Sequence, residues 1–388
     1  MNETLRALMR DATRLTQAGR LGEATEALQR ALGGQAKMPY PPFTGAHAFT
    51  RGGDSTAAAA AAQNNASLVL DGTVYKTADR ASPLHDSQPP QYADVETGEG
   101  TFTTASYTHA GLTRRYKLYT PPQSAGQAQA LVVMLHGCTQ NPDDFALGTN
   151  MNALAREQGF MVLYPEQAQE ANPQRCWNWF KHNHQRRGSG EPALIASLTS
   201  MLVQQHGADA RRVYIAGLSA GGAMAAIAAS AYPDVFAAAG VHSGLPAGVA
   251  SNVAEALMVM KNGGAARGGL AAQSGTQQSV PTIVFHGDQD HTVHPRNGEQ
   301  VISATVAQAH ASQSPTVEQG VSHRGRRYTR SVYAGASGAS LAEHWVLHGA
   351  GHAWSGGLAS GSYTDATGPD ASREMLRFFF SQPHGRTH

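Results

Sequence analysis

The 388-residue chain is predicted to be an α/β protein with an open, mainly parallel sheet and helices on both faces. Short unbroken apolar runs of strand length recur after residue 100, and helix-length segments separate them. A glycine-bracketed serine also sits where one such run gives way to a small-residue helix. A single core absorbs about 250–300 residues, so this length suggests a main domain with an appendage. The composition is 41% hydrophobic and only 15% charged, with 42 glycines, which fits a loop-rich globular enzyme rather than a coiled coil or a charged disordered chain.

At the amino end, Leu5, Leu8, Met9, Ala12 and Leu15 follow helical spacing, Gly19 breaks it, and Leu21, Ala24, Leu28 and Leu32 resume it before Gly33-Gly34. Residues 1–34 are therefore expected to form a small helical hairpin, too short to bury a core alone, that packs as a flap or docks elsewhere. Residues 35–99, with Pro39-Tyr40-Pro41-Pro42, an alanine run over Ala57–Ala62 and Pro89-Pro90, read as a low-complexity linker, largely disordered. Residues 100–388 form the main domain. Thr101–Ser106 and Arg115–Tyr119 suggest a strand pair. Leu131–Leu135, Phe160–Leu163, Val213–Ala216, Thr282–Phe285 and Trp345–Leu347 read as strands buried on both faces. Leu194–His206 and Gly221–Ala231 fit helices between them, and a final helix starts after Asp370, a good N-cap.

Twenty-nine Lys and Arg against 28 Asp and Glu leave a net charge of +1, so no global field gathers nucleic acid or anionic membrane. No run of about 18 apolar residues occurs, which predicts no transmembrane segment. The start, Met1-Asn2-Glu3-Thr4-Leu5-Arg6, lacks the apolar stretch of a signal peptide. The expected location is cytoplasmic, with an extracellular one as the alternative.

Gly217-Leu218-Ser219-Ala220-Gly221 follows the strand Val213–Ala216 and opens a helix, the context of a nucleophile elbow. Ser219 is the expected nucleophile. Serine needs a base and the base an orienting acid, in the chain order Ser, acid, His. Asp288 and Asp290 compete for the acid in His286-Gly287-Asp288-Gln289-Asp290, and loop position slightly favours Asp290. His344, His348 and His352 surround the last strand, and His352 hangs beyond its carboxyl end, where the base belongs. The backbone N–H groups of Ala220 and Cys138 are the expected oxyanion donors, Cys138 lying in the loop after Leu131–Leu135. Trp177 and Trp179 pack in the core or line an acyl pocket. Cys138 and Cys176 are either two buried thiols or a disulfide. His136, His182, His184 and His206 lack metal-site spacing, so no metal is expected.

Leu135-His136-Gly137-Cys138-Thr139-Gln140, Cys176-Trp177-Asn178-Trp179, Gly217-Leu218-Ser219-Ala220-Gly221-Gly222 and Gly349-Ala350-Gly351-His352-Ala353-Trp354-Ser355-Gly356-Gly357, with Gly368-Pro369-Asp370-Ala371-Ser372, together resemble the poly(3-hydroxybutyrate) depolymerase family of esterases. The resemblance covers residues 100–381. It implies an α/β-hydrolase fold, hydrolysis of 3-hydroxyalkanoate polymers or oligomers without a cofactor, Ser219 as nucleophile, His352 as base, and Asp290 over Asp288 as acid. It also implies a Cys138–Cys176 bridge holding the oxyanion loop against the Trp177 loop. Secreted polymer-degrading members carry a signal peptide and a carboxyl-terminal granule-binding module, which this sequence does not resemble. Soluble oligomers, amorphous polymer or small acyl esters are therefore favoured over crystalline polymer. Feruloyl and acetyl-xylan esterases share the framework and give the alternative substrate class. The alternative outside catalysis is a granule-associated scaffold that binds a polymer-granule surface through the hairpin.

Overall fold

Apolar runs that no polar residue interrupts have both faces to bury, and they form the middle of one ten-stranded sheet. The computed structural model describes residues 100–122, 128–264, 279–309, 311, 314–335 and 338–382. The expected hairpin at 1–34 and the linker at 35–99 lie outside them.

The strands are β1 (Thr101–His109), β2 (Leu112–Thr120), β3 (Leu131–Leu135), β4 (Met161–Pro165), β5 (Val213–Leu218), β6 (Ala238–His242), β7 (Thr282–Gly287), β8 (Thr316–Val321), β9 (Arg327–Ala334) and β10 (Ser340–Leu347). Their order across the sheet is β1-β2-β4-β3-β5-β6-β7-β10-β9-β8. The run from β4 to β10 is parallel throughout. The antiparallel pairs β1–β2 and β8–β9 extend it on either side. Two-residue strands β11 (Trp354–Ser355) and β12 (Thr364–Asp365) pair separately.

Helices α1 (Pro142–Thr149), α2 (Met151–Gln158), α3 (Gly190–His206), α4 (Ala220–Ala231), α5 (Val253–Asn262), α6 (Arg296–Gln308) and α7 (Ala371–Phe380) connect and close the sheet. Side chains alternate along β3: Leu131, Val133 and Leu135 pack toward α3 and α4, and Val132 and Met134 toward α1, α2 and α7. All five are fully buried, and each contributes about 1.5–3 kcal/mol of apolar burial. Asp370 caps α7 as the sequence predicts, its side chain accepting from Arg373 N at 3.0 Å.

The sheet differs from the sequence expectation at β6, β8 and β9. Ala-Ala-Gly-Val-His carries too little apolar bulk to read as a strand, although all its residues are buried. The β8–β9 pair forms a solvated edge, and β8 has no buried residue.

Register sets where the loops emerge. Leu135 pairs with Gly217, Leu218 with His242, Phe285 with His242, and Leu347 with Gly287. The carboxyl ends of β3, β5, β6, β7 and β10 thus lie level, and the loops leaving them collect along one edge, where ligands of open α/β sheets bind.

Candidate active site

β5 turns into α4 with a single residue between them. That residue is Ser219, held at φ 56° and ψ −119°, a conformation costing on the order of 1–3 kcal/mol that surrounding contacts must hold. Its N–H donates to His242 O at 2.9 Å, tying the turn to the end of β6. Glycine at 221 is forced by proximity: a Cβ there would lie 2.1 Å from Leu135 O, so the helix could not start so close to β3. Ser219 is 8% exposed at the amino end of α4.

The two aspartates that compete in sequence meet different histidines. Asp290 Oδ2 lies 2.7 Å from His352 Nδ1, and its Oδ1 accepts from Thr292 N at 2.9 Å and Val293 N at 2.8 Å. Asp288 Oδ2 instead lies 3.0 Å from His348 Nδ1, while its Oδ1 accepts from Gly349 N at 2.7 Å. Asp290 is buried and Asp288 one-third exposed. Burial pushes the Asp290 carboxyl up, but the His286 and His352 rings beside it more than reverse this and hold it well below the usual carboxylate range. The loops carrying these pairs are stitched together by Asp288 N to Leu347 O and Gln289 N to Ala350 O.

Cys138 lies in the loop after β3 and is bonded Sγ to Sγ with Cys176, fastening that loop to the Trp177 segment. Thr139 N adds a 2.7 Å hydrogen bond to Gln174 O. The carbonyl of the Gly137–Cys138 peptide accepts from His136 Nδ1 at 2.8 Å, and His136 Nε2 accepts from Gln167 N at 3.1 Å. Burial keeps the His136 ring neutral, its pKa lowered to about 4. With the carbonyl fixed, the Cys138 N–H points away from it and makes no hydrogen bond among the described residues. Ala220 N–H is the first of α4, one of the N–H groups a helix leaves without an internal partner.

Trp177 is fully buried and Trp179 is 4% exposed, both packed in the core. Trp177 lies against His136, with ring centroids 5.7 Å apart. Asn178 between them is held by Glu191, whose Oε2 accepts from Asn178 N at 2.7 Å. Glu191 Oε1 accepts from Gln167 Nε2 at 2.6 Å, Asn178 Nδ2 at 2.8 Å and Arg114 Nη2 at 3.3 Å. Burial pushes the Glu191 carboxyl up, but His184, Gln167 and Asn178 bring it down to about 2.

Sequence reasoning missed His136, Gln167, Glu191 and His242 as supports of this edge. His242 Nε2 accepts from Ser355 N at 2.9 Å, and its ring stacks on Trp354 and Phe285. None of these residues sits in a spacing that announces its role: Asn178 lies 13 positions from Glu191, Gln167 lies 31 from His136, and Ser355 lies 113 from His242. Among the described residues no group of three or more His, Cys, Asp or Glu is arranged to hold a metal ion. No described helix is long and apolar enough to cross a membrane.

Comparison with known proteins adds a family to this geometry. The chain is 33% identical over 231 residues to poly(3-hydroxyalkanoate) depolymerase C of Paucimonas lemoignei, covering 57% of this chain and 54% of that protein. It is 31% identical over 193 residues to acetylxylan esterase A of Emericella nidulans, covering 45% and 61%. The chain thus spans little more than half the length of these curated relatives. An acetyl xylan esterase structure from Aspergillus awamori superposes with a TM-score of 0.58 at 20% identity, covering 72% of this chain and 99% of that one, and shares the α/β-hydrolase fold. A family model, Esterase PHB depolymerase, matches residues 114–312, more than half the chain, from within β2 to just past the end of α6. With β5, its serine turn and the loop carrying Asp290 all inside that match, the chain belongs to the PHB depolymerase family of esterases.

Proposed function

We propose that the chain is a carboxylic ester hydrolase in which Ser219, His352 and Asp290 act as a catalytic triad. The observation that carries this reading is the 2.7 Å contact between Asp290 Oδ2 and His352 Nδ1, on the sheet edge that also presents the strained Ser219. Ionised Asp290 accepts a hydrogen bond from His352 Nδ1–H, which keeps the proton on Nδ1 and leaves Nε2 as the free base. His352 takes the Ser219 hydroxyl proton as Oγ attacks the ester carbonyl. The carbonyl oxygen becomes an oxyanion facing Cys138 N–H and Ala220 N–H. His352 then protonates the leaving alkoxide, and water repeats the sequence on the acyl-enzyme to release the acid.

The substrate in this reading is a poly(3-hydroxyalkanoate) chain or its oligomers, supported by the depolymerase relative at 33% identity. The acetylxylan and feruloyl esterase relatives support acyl esters of plant-wall polymers, or short acyl esters generally, as the second reading. Trp177 and Trp179 would serve either substrate from behind, as the packed wall under the oxyanion loop. The catalytic unit is residues 100–388. The Cys138–Cys176 bridge favours an extracellular site of action, since disulfides persist in oxidising compartments.

The test is release of p-nitrophenol from p-nitrophenyl butyrate by the wild type and Ser219→Ala. Loss of roughly 10³-fold or more in the variant is expected for removal of a triad member. A folded variant that keeps its turnover would overturn the assignment. Parallel assays on amorphous poly(3-hydroxybutyrate) and acetylated xylan separate the two substrate readings.

A further inference from the structure

Thr139 and Tyr363 are 224 positions apart, and their side-chain oxygens meet at 3.1 Å. Both are non-glycine residues in the left-handed region, at φ 65° and 51°. For a β-branched threonine that conformation is a genuine outlier, and it persists only where neighbours impose it. Thr139 Oγ1 lies 2.6 Å from Cys138 O, and a carbonyl only accepts. The single hydroxyl proton of Thr139 is used there, so the Tyr363 phenol must donate to Thr139 Oγ1. The chain of donation runs from Tyr363 through Thr139 to the Cys138 carbonyl.

The neighbouring residue works in parallel. Gln140 Oε1 accepts from Gly137 N at 2.9 Å, and its Nε2 donates to Ser362 O at 3.1 Å and Asp144 Oδ2 at 3.0 Å. Asp144 in turn accepts from Ser362 N at 2.8 Å. Successive backbone groups around Cys138 are therefore each fixed: Gly137 N–H by Gln140, Gly137 C=O by His136, and Cys138 C=O by Thr139. The Cys138 N–H between them is left to point at a ligand.

We infer that Ser362–Tyr363 is a clasp that aims the Cys138 N–H at the oxyanion, with Tyr363 a positioning residue acting through Thr139. The inference rests on the esterase reading above. His136 holds the 137–138 peptide that carries the Cys138 N–H, and Thr139 holds the 138–139 peptide after it, so both planes flanking the Cys138 Cα are set before the reaction. No reorganisation is then needed as charge develops, which favours the transition state over the bound ester.

The experiment compares wild type, Tyr363→Phe, Thr139→Val, Thr139→Ser and the double variant Tyr363→Phe/Thr139→Val, with Ser219→Ala as control. Each is assayed for kcat and KM on p-nitrophenyl butyrate and for inhibition by butylboronic acid, whose serine adduct places an oxygen where the oxyanion forms. Tyr363→Phe is expected to lower kcat about 3- to 10-fold, the range of one ordinary hydrogen bond, with KM unchanged and the boronate Ki raised by the same factor. The double variant should be no worse than Thr139→Val, and Thr139→Ser should restore activity. Tyr363 is 44% exposed, so Tyr363→Phe tests the clasp even where Thr139→Val folds poorly. Unchanged kcat and Ki in Tyr363→Phe overturn the clasp. Raised KM at unchanged kcat also overturns it, because the phenol would then touch substrate. Turnover surviving in Ser219→Ala overturns the esterase reading beneath it, whereas an inactive Ser219→Ala beside a wild-type-like Tyr363→Phe removes the clasp alone.

Discussion

Replacing Asp290 by asparagine is the sharpest test of the proposed chemistry, because the surrounding donors dictate which way the amide must turn. Oδ1 accepts from two backbone N–H groups, Thr292 at 2.9 Å and Val293 at 2.8 Å. The amide oxygen has to stay there, since an NH₂ in that place would face two donors. The NH₂ then occupies the Oδ2 position, 2.7 Å from His352 Nδ1. Donor would meet donor, so the imidazole must shift to the tautomer with its proton on Nε2. That nitrogen can no longer take the serine proton. The expected loss in kcat is about 10³- to 10⁴-fold. This corresponds to about 4–5 kcal/mol on the barrier at 1.36 kcal/mol per decade. The assay is p-nitrophenyl butyrate hydrolysis, with a thermal melt to show that the variant is folded. Asp288→Asn is the paired control: its carboxyl ties His348 and Gly349 N at one-third exposure, and activity should stay within about two- to threefold. Equal losses in the two variants, or Asp290→Asn retaining a tenth of wild-type activity, would refute the reasoning.

Glu191 should carry a measurable acid limb of stability. Its carboxyl falls from the ordinary 4.5 to about 2, worth on the order of 3 kcal/mol at 1.36 kcal/mol per pH unit. Because the folded value is depressed, that stability is fully present above about pH 4.5 and is lost as pH falls toward 2. Urea unfolding at pH 7 and pH 3 should show Glu191→Gln less stable than wild type at pH 7 by about 3–5 kcal/mol, since buried Arg114 loses its carboxylate, and the gap should narrow at pH 3. Equal stability at pH 7 would remove the carboxylate from the account. Gly221→Ala should fail to form the serine turn, because its Cβ would sit 2.1 Å from Leu135 O, whereas Gly351→Ala meets nothing within 4 Å and should fold and melt like wild type. Soluble yield and melting temperature distinguish the two.

The parts of the fold legible in the sequence were those buried on both faces. Leu131–Leu135 and Val213–Leu218 expose nothing, so their composition has only one solution. β6 is equally buried, but Gly240 is small because α7 packs on its face: a Cβ there would lie 2.7 Å from Met375 Sδ. Bulk was the signal, and packing had removed it. β9 is only half-buried along its length, beside the hydrated β8 edge, and holds Arg327 and Arg330, so it carries no apolar run. In the site, Ser219 was legible because its turn demands small neighbours in fixed places. Glu191 was not, because one carboxylate among 28 acidic residues shows nothing until the chain has folded around it.

The choice between Asp288 and Asp290 shows why spacing alone could not finish the reading. Both follow β7, both reach a histidine that follows β10, and both accept at least one backbone N–H. The pairs even run in parallel, Asp288 to His348 and Asp290 to His352. What separates them is depth. Asp288 and His348 are each one-third exposed, and His348 Nε2 is already engaged by Thr329 Oγ1 at 2.9 Å. Asp290 is withdrawn from solvent, and its charge is held by two backbone donors and flanked by two imidazoles. A charge–dipole arrangement is far stronger in that setting than at the surface. The outer pair closes the loop, and in the proposed mechanism the inner pair orients the base. A sequence records that two such pairs can form, and only the packing of β7 against β10 records which of them is dry.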